Sequence, residues 1–79
     1  MVETRIAPRH RVMKVAKIEF GGDKIDCIVR DLSITGAALE VFSTVGIPAK
    51  FKLMIPEDGL HLPCHIVWRK EFRIGVAFE

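Results

Sequence analysis

The stretch "KFKLMIPEDGLHLPCHIVWR", residues 50–69, decides the architecture. In its first part Phe51, Leu53 and Ile55 alternate with Lys50 and Lys52, the two-residue period of a strand with one face buried. "PEDG" then breaks the pattern with a proline, two acidic residues and a glycine, a strong turn signal. Beyond the turn, Leu60, Leu62, Cys64, Ile66 and Trp68 form one apolar row, against His61, Pro63, His65 and Arg69 on the other face. Strand, tight turn and antiparallel strand follow directly. Pro63 cannot donate to a ladder, so a bend or an edge is expected there.

The same period recurs on both sides of this hairpin. Residues 14–20, "KVAKIEF", place Ala16, Ile18 and Phe20 in phase, and "GGDK" supplies the next turn. "IDCIVRDLS", residues 25–33, puts Cys27 and Val29 on one face and Asp26, Ile28 and Arg30 on the other. After "ITG", residues 37–42 resume with Ala37, Leu39 and Val41 in phase, and "STVGIPA" reads as a loop. A short "KE" turn leads into "FRIGVAFE", with Phe72, Ile74, Val76 and Phe78 in phase. Six short strands in a chain too small for two full sheets predict a small six-stranded antiparallel barrel of the all-β class, whose closure removes exposed edges.

Composition narrows the classes further. With 79 residues, of which 49% are hydrophobic and 28% charged, the chain supports one core and excludes two domains. A net charge of +2 is too weak to argue by itself for duplex nucleic acid or an anionic membrane. No apolar run approaches a membrane span and the start lacks a secretion signal, so a soluble, cytoplasmic protein without membrane insertion is expected. Cys27 and Cys64 each lie within an apolar run and read as core thiols of a reducing compartment. His10, His61 and His65 form no tight Cys/His cluster, and no metal site is expected.

Residues 1–12 lack alternation, contain Pro8 and precede the first strand, so they are expected to form a flexible arm ahead of a barrel at 13–79. The arm carries Arg5, Arg9 and Arg11. A solvated tail is one reading of these charges. An anion clamp is the other, because the planar guanidinium fork donates two parallel hydrogen bonds to a phosphate or to the O6 and N7 edge of guanine.

"RDLSITG", residues 30–36, offers a second polar cluster. Asp31 and Ser33 are two residues apart and project to the same side of an extended chain. The carboxylate can accept from the N1 and N2 donors of guanine, the hydroxyl can bond a phosphate oxygen, and Gly36 permits a tight turn or a close backbone approach. The alternative is a hairpin turn in which both side chains bond backbone amides.

Taken in order, "RIAPR" fits RxxxR and "DLSITG" fits [D/N]xSxxG some twenty residues later. This pair resembles the PilZ domain, a bacterial receptor family for the second messenger cyclic di-GMP. "PCHIVWR" and "RIGVAFE" are similar to the closing strands of that family, so the resemblance covers nearly the whole chain. It implies a six-stranded antiparallel barrel. It also implies that Arg5 and Arg9 grip the phosphates and guanine edges of cyclic di-GMP from a flexible arm, and that Asp31, Ser33 and Gly36 contact a guanine from the barrel surface. Ile6 stands where many members carry a second basic residue, and Arg11 is expected to help in its place. Ordering of the arm on the ligand would present a new surface to an effector protein, which is expected because no output domain is attached. Ligand-linked self-association is a further expectation.

Two other classes bear on the same residues. His61 and His65 share a strand face and with Asp31 form a conceivable acid/base set, but no nucleophile or metal accompanies them, and no enzyme activity is expected. Small barrels also bind single-stranded nucleic acid, through exposed aromatics. Here Phe20, Phe51, Trp68, Phe72 and Phe78 fall in inward rows and only Phe42 is out of phase, which argues against that class and against DNA as a partner.

Overall fold

The computed structural model describes residues 10–79. Six strands and one 3-10 turn follow in order: β1 (His10–Phe20), β2 (Asp23–Leu32), β3 (Gly36–Val41), β4 (Lys50–Ile55), the turn Pro56–Asp58, β5 (Leu60–Lys70) and β6 (Arg73–Phe78). All neighbours are antiparallel, and the order β1-β2-β3-β6-β5-β4 closes on itself through β1 and β4. The expected all-β barrel is therefore the observed fold.

Alternation builds its interior. Ala16 and Ile18 of β1, Val29 of β2, Leu39 of β3, Leu53 and Ile55 of β4 and Ile74 of β6 are fully enclosed. Cys27 and Cys64 are buried free thiols in the same core. Burial pushes both thiols up to about 12, because a thiolate has no solvation there. At the turn after β4, Gly59 adopts φ 64°, a left-handed conformation that a glycine takes without steric cost. Lys14 of β1 reaches this turn, lying 2.7 Å from Asp58 and 3.2 Å from Glu57. Those two carboxylates, Asp58 foremost, raise the lysine above its ordinary value.

Pro63 sits inside a strand that is paired on both sides, opposite Lys52 of β4. Its carbonyl accepts from the Glu79 amide at 2.9 Å, beyond the end of β6. Carbonyl and amide positions of one residue face the same neighbour in an antiparallel strand, so the missing N–H falls where β6 has already ended.

Three differences from the sequence reading have physical causes. First, β1 begins at His10, so His10, Arg11 and Val12 are strand rather than arm, while Arg5 and Arg9 lie outside the described residues. Second, the β5–β6 register slips between Ile66 and Trp68, from Ile66↔Val76 to Trp68↔Gly75. The extra residue, Val67, breaks the two-residue period, and Trp68 turns outward. Third, the last hairpin turns at Glu71 and Phe72, with Glu71 at φ 35°, one residue later than "KE". Phe72 thus leaves the inward row. Trp68, Phe72 and Phe42 are 42%, 59% and 95% exposed, which corrects the reading that only Phe42 faces out.

Candidate functional site

The other register shifts gather on the same part of the barrel. β1 carries one extra residue against β2 between Arg11 and Lys14, and β2 carries one against β3 between Val29 and Asp31. Bulges re-aim side chains and occur next to binding sites. Here they set Arg11 directly opposite Asp31 and give Arg30 a position outside regular pairing.

Asp31, Ser33 and Gly36, the three barrel residues singled out from the sequence, line one groove of about 320 Å³. Its opposite wall is Val67 and Trp68 of β5 with Gly75, Val76 and Ala77 of β6. Leu32, between Asp31 and Ser33, lines the same groove, and Ser33 lies past the end of β2, so the turn rather than strand alternation gathers them.

Their local chemistry differs. The Ser33 hydroxyl accepts from the amides of Thr35 and Gly36, each at 3.2 Å, and the Ser33 amide donates to the Gly36 carbonyl at 2.9 Å. Ser33 therefore closes the β2–β3 turn, the backbone-bonding alternative of the motif. Gly36 serves a close approach rather than an unusual φ, because a Cβ there would strike the carbonyl oxygen of Val76 on β6. Asp31 stands at the rim, where the groove meets a second cavity of about 260 Å³ lined by Arg11, Val12, Arg30 and Arg73.

Sequence reasoning missed Trp68 in this place. Its indole lies over Gly75, where any added Cβ would overlap the ring, so the absence of a side chain at 75 creates the seat for the tryptophan. The readable signal was the glycine opposite an aromatic on paired strands, but it required the slipped register. Arg30 and Arg73 were likewise unread. They belong to β2 and β6, which flank β3, and the pairing of β3 with the distant last strand brings Arg73 to the side of the sheet that carries Arg11 and Arg30.

The histidines do not join this face. His61 and His65 are on β5, whose neighbours are β4 and β6, whereas Asp31 is on β2 between β1 and β3. His65 instead lies 3.3 Å from Glu79. Among the described residues no three His, Cys, Asp or Glu side chains are placed to hold a metal ion, and no helix is long and apolar enough to cross a membrane.

The class that fold and groove define is a small closed β-barrel domain with a polar and aromatic groove on its outer wall. The family model described as PilZ domain matches residues 3–79, and the chain belongs to that family. PilZ is a binding and receptor family, known for reception of cyclic di-GMP, rather than a catalytic one. No curated protein matches the chain.

Proposed function

We propose that this domain binds cyclic di-GMP at the Asp31 groove and relays the signal to an effector protein through ordering of the residues before β1. The observation that carries the reading is the convergence of Asp31, Gly36 and a partly exposed Trp68 on one groove, with Arg11 directly across from Asp31. Asp31 accepts from a guanine pairing edge, the Trp68 indole offers a face for the base, and arginines take the phosphates. Ser33 acts by holding the turn that presents Asp31 and Gly36.

Arg5 and Arg9 supply the clamp of the RxxxR motif. Arg9 is two residues before Arg11 in the sequence. Charge-assisted hydrogen bonds contribute about 1.5 to 3 kcal/mol each, and four or five support micromolar or tighter binding after the cost of ordering the segment. The effector is a separate protein, the setting is the bacterial cytoplasm, and the domain performs recognition without catalysis. Two copies closing on a shared ligand would give the self-associated form.

Three exposed aromatics, Phe42, Trp68 and Phe72, favour a second reading, a single-stranded nucleic-acid surface. Calorimetric titration with cyclic di-GMP, GMP and a short single-stranded oligonucleotide separates the two. Saturable binding of cyclic di-GMP, with GMP far weaker and the oligonucleotide silent, is expected. Oligonucleotide binding without cyclic di-GMP binding at high micromolar protein overturns the proposal.

A further inference from the structure

The cavity beside Asp31 contains a feature that ligand reception alone does not call for. Arg30 Nη1 donates to Oε1 of Glu40 at 2.9 Å, and Arg73 Nη2 lies 4.0 Å from the same oxygen. Glu40 is on β3, between the strands that carry the two arginines, in register with Arg73 on one side and Ile28 on the other. Its oxygen Oε1 thus accepts from Arg30 and lies at ion-pair distance from Arg73, and both arginines line the cavity together with Arg11 of β1.

This arrangement contributes little to folding. The side chains of Arg30, Glu40 and Arg73 are 34%, 42% and 50% exposed, and ion pairs in water are screened and weak. A carboxylate oxygen bonded by one guanidinium and approached by a second stands, however, where a phosphate oxygen would be held between them.

We propose that Arg11, Arg30 and Arg73 form a phosphate subsite and that Glu40 is its built-in competitor, which an incoming phosphate must displace. The assignment of the phosphate to cyclic di-GMP rests on the function proposed above. The subsite itself rests on the arginine cluster. Arg11, Arg30, Arg73 and Asp31 line the cavity and Glu40 is paired to two of the arginines from beside it, so the cluster carries one net positive charge. Glu40 sets affinity by keeping that charge low and by occupying the forks. Removing its charge doubles the net charge of the cluster and weakens the hold on Arg30, whose bond to a neutral amide oxygen a phosphate displaces more readily.

The test uses the full chain, the Glu40→Gln variant and the double variant Glu40→Gln/Arg73→Ala, each checked for the parent's amide spectrum. Pyrophosphate and cyclic di-GMP are titrated separately, reading the arginine Nε–Hε resonances and calorimetric heat. Glu40→Gln is expected to tighten pyrophosphate about fivefold to tenfold, as removal of one like charge at contact distance implies. Cyclic di-GMP should tighten by a similar factor, with the Arg30 and Arg73 signals shifting, and Arg73→Ala should abolish the gain. Pyrophosphate affinity within twofold of the parent, no measurable pyrophosphate binding to either protein, or a gain that survives Arg73→Ala overturns the subsite. If pyrophosphate responds as expected and cyclic di-GMP binds to neither protein, the subsite stands and the ligand assignment falls.

Discussion

Strand β4 and the β2–β3 hairpin around Asp31 show two ways in which one barrel uses its sequence. In β4 every second residue, Phe51, Leu53 and Ile55, is buried without interruption, and no register shift occurs against β5. Around Asp31 the register slips on β2 against β3 and on β1 against β2, and polar groups collect where pairing is irregular. Regular pairing makes the core, whereas irregular pairing collects polar side chains around the groove. The two regions should therefore respond to different perturbations.

Alkaline pH should act on the interior most strongly. Cys27 and Cys64 are pushed by burial from 9.0 up to about 12. Above pH 9 the unfolded chain releases these protons while the folded barrel keeps them. Stability therefore falls as pH rises, by up to about 1.4 kcal/mol per pH unit for each thiol, until the folded value near 12 is reached. Urea unfolding across this range should show a flatter decline for Cys64→Ala than for the parent. Parallel curves would mean that the thiols are not held in a desolvated core.

Leu53→Ala tests the regular region by deletion. A fully buried leucine truncated to alanine costs about 2 to 5 kcal/mol, and the urea midpoint should drop accordingly. Ligand affinity of the protein that remains folded should be unchanged, because Leu53 lines no part of the groove.

Gly36 lies in the hairpin yet packs directly against β6, so its replacement should affect stability and recognition together. Gly36→Ala forces β3 away from the Val76 carbonyl, with an expected loss of about 1 to 3 kcal/mol. It also loosens the turn under Asp31, so affinity should fall together with stability. Retained affinity in a destabilised variant would separate the turn from recognition.

Trp68→Ala sharpens the comparison from the other side. The indole is partly exposed on the groove wall, so stability should change by less than about 1 kcal/mol in thermal melts. Cyclic di-GMP affinity should fall about tenfold or more, as loss of base stacking implies. Unchanged affinity would remove Trp68 from the site.

The same contrast explains what could be read in advance. Residues 50–55 are observed as β4 with the boundaries and facing that alternation predicts, and the turn at Pro56–Asp58 follows from its proline and the glycine after it. Asp31, Ser33 and Gly36 were legible as a cluster because they are close in sequence, although the hydrogen bonds of Ser33 go to the turn. Trp68 was placed inside because nothing in "IVWR" announces the bulge at Val67; that depends on how β5 fits β6. Phe72 was misplaced because Glu71 carries the positive φ of the turn, a conformation usually signalled by glycine or asparagine. Arg30, Glu40 and Arg73 come from three strands, and the pairing of β3 with β6, far along the chain, unites them.

The irregular face at Asp31 is the proposed seat of the ligand. An amide-resolved NMR titration with cyclic di-GMP tests it most directly. Shifts concentrated at residues 31–38, the Trp68 indole and Gly75, with little change at Glu19, Lys24, Lys50 and Lys52, which line a separate cavity on β1, β2 and β4, are the predicted result. Shifts concentrated at those four residues, with Asp31 and Trp68 unmoved, would contradict it.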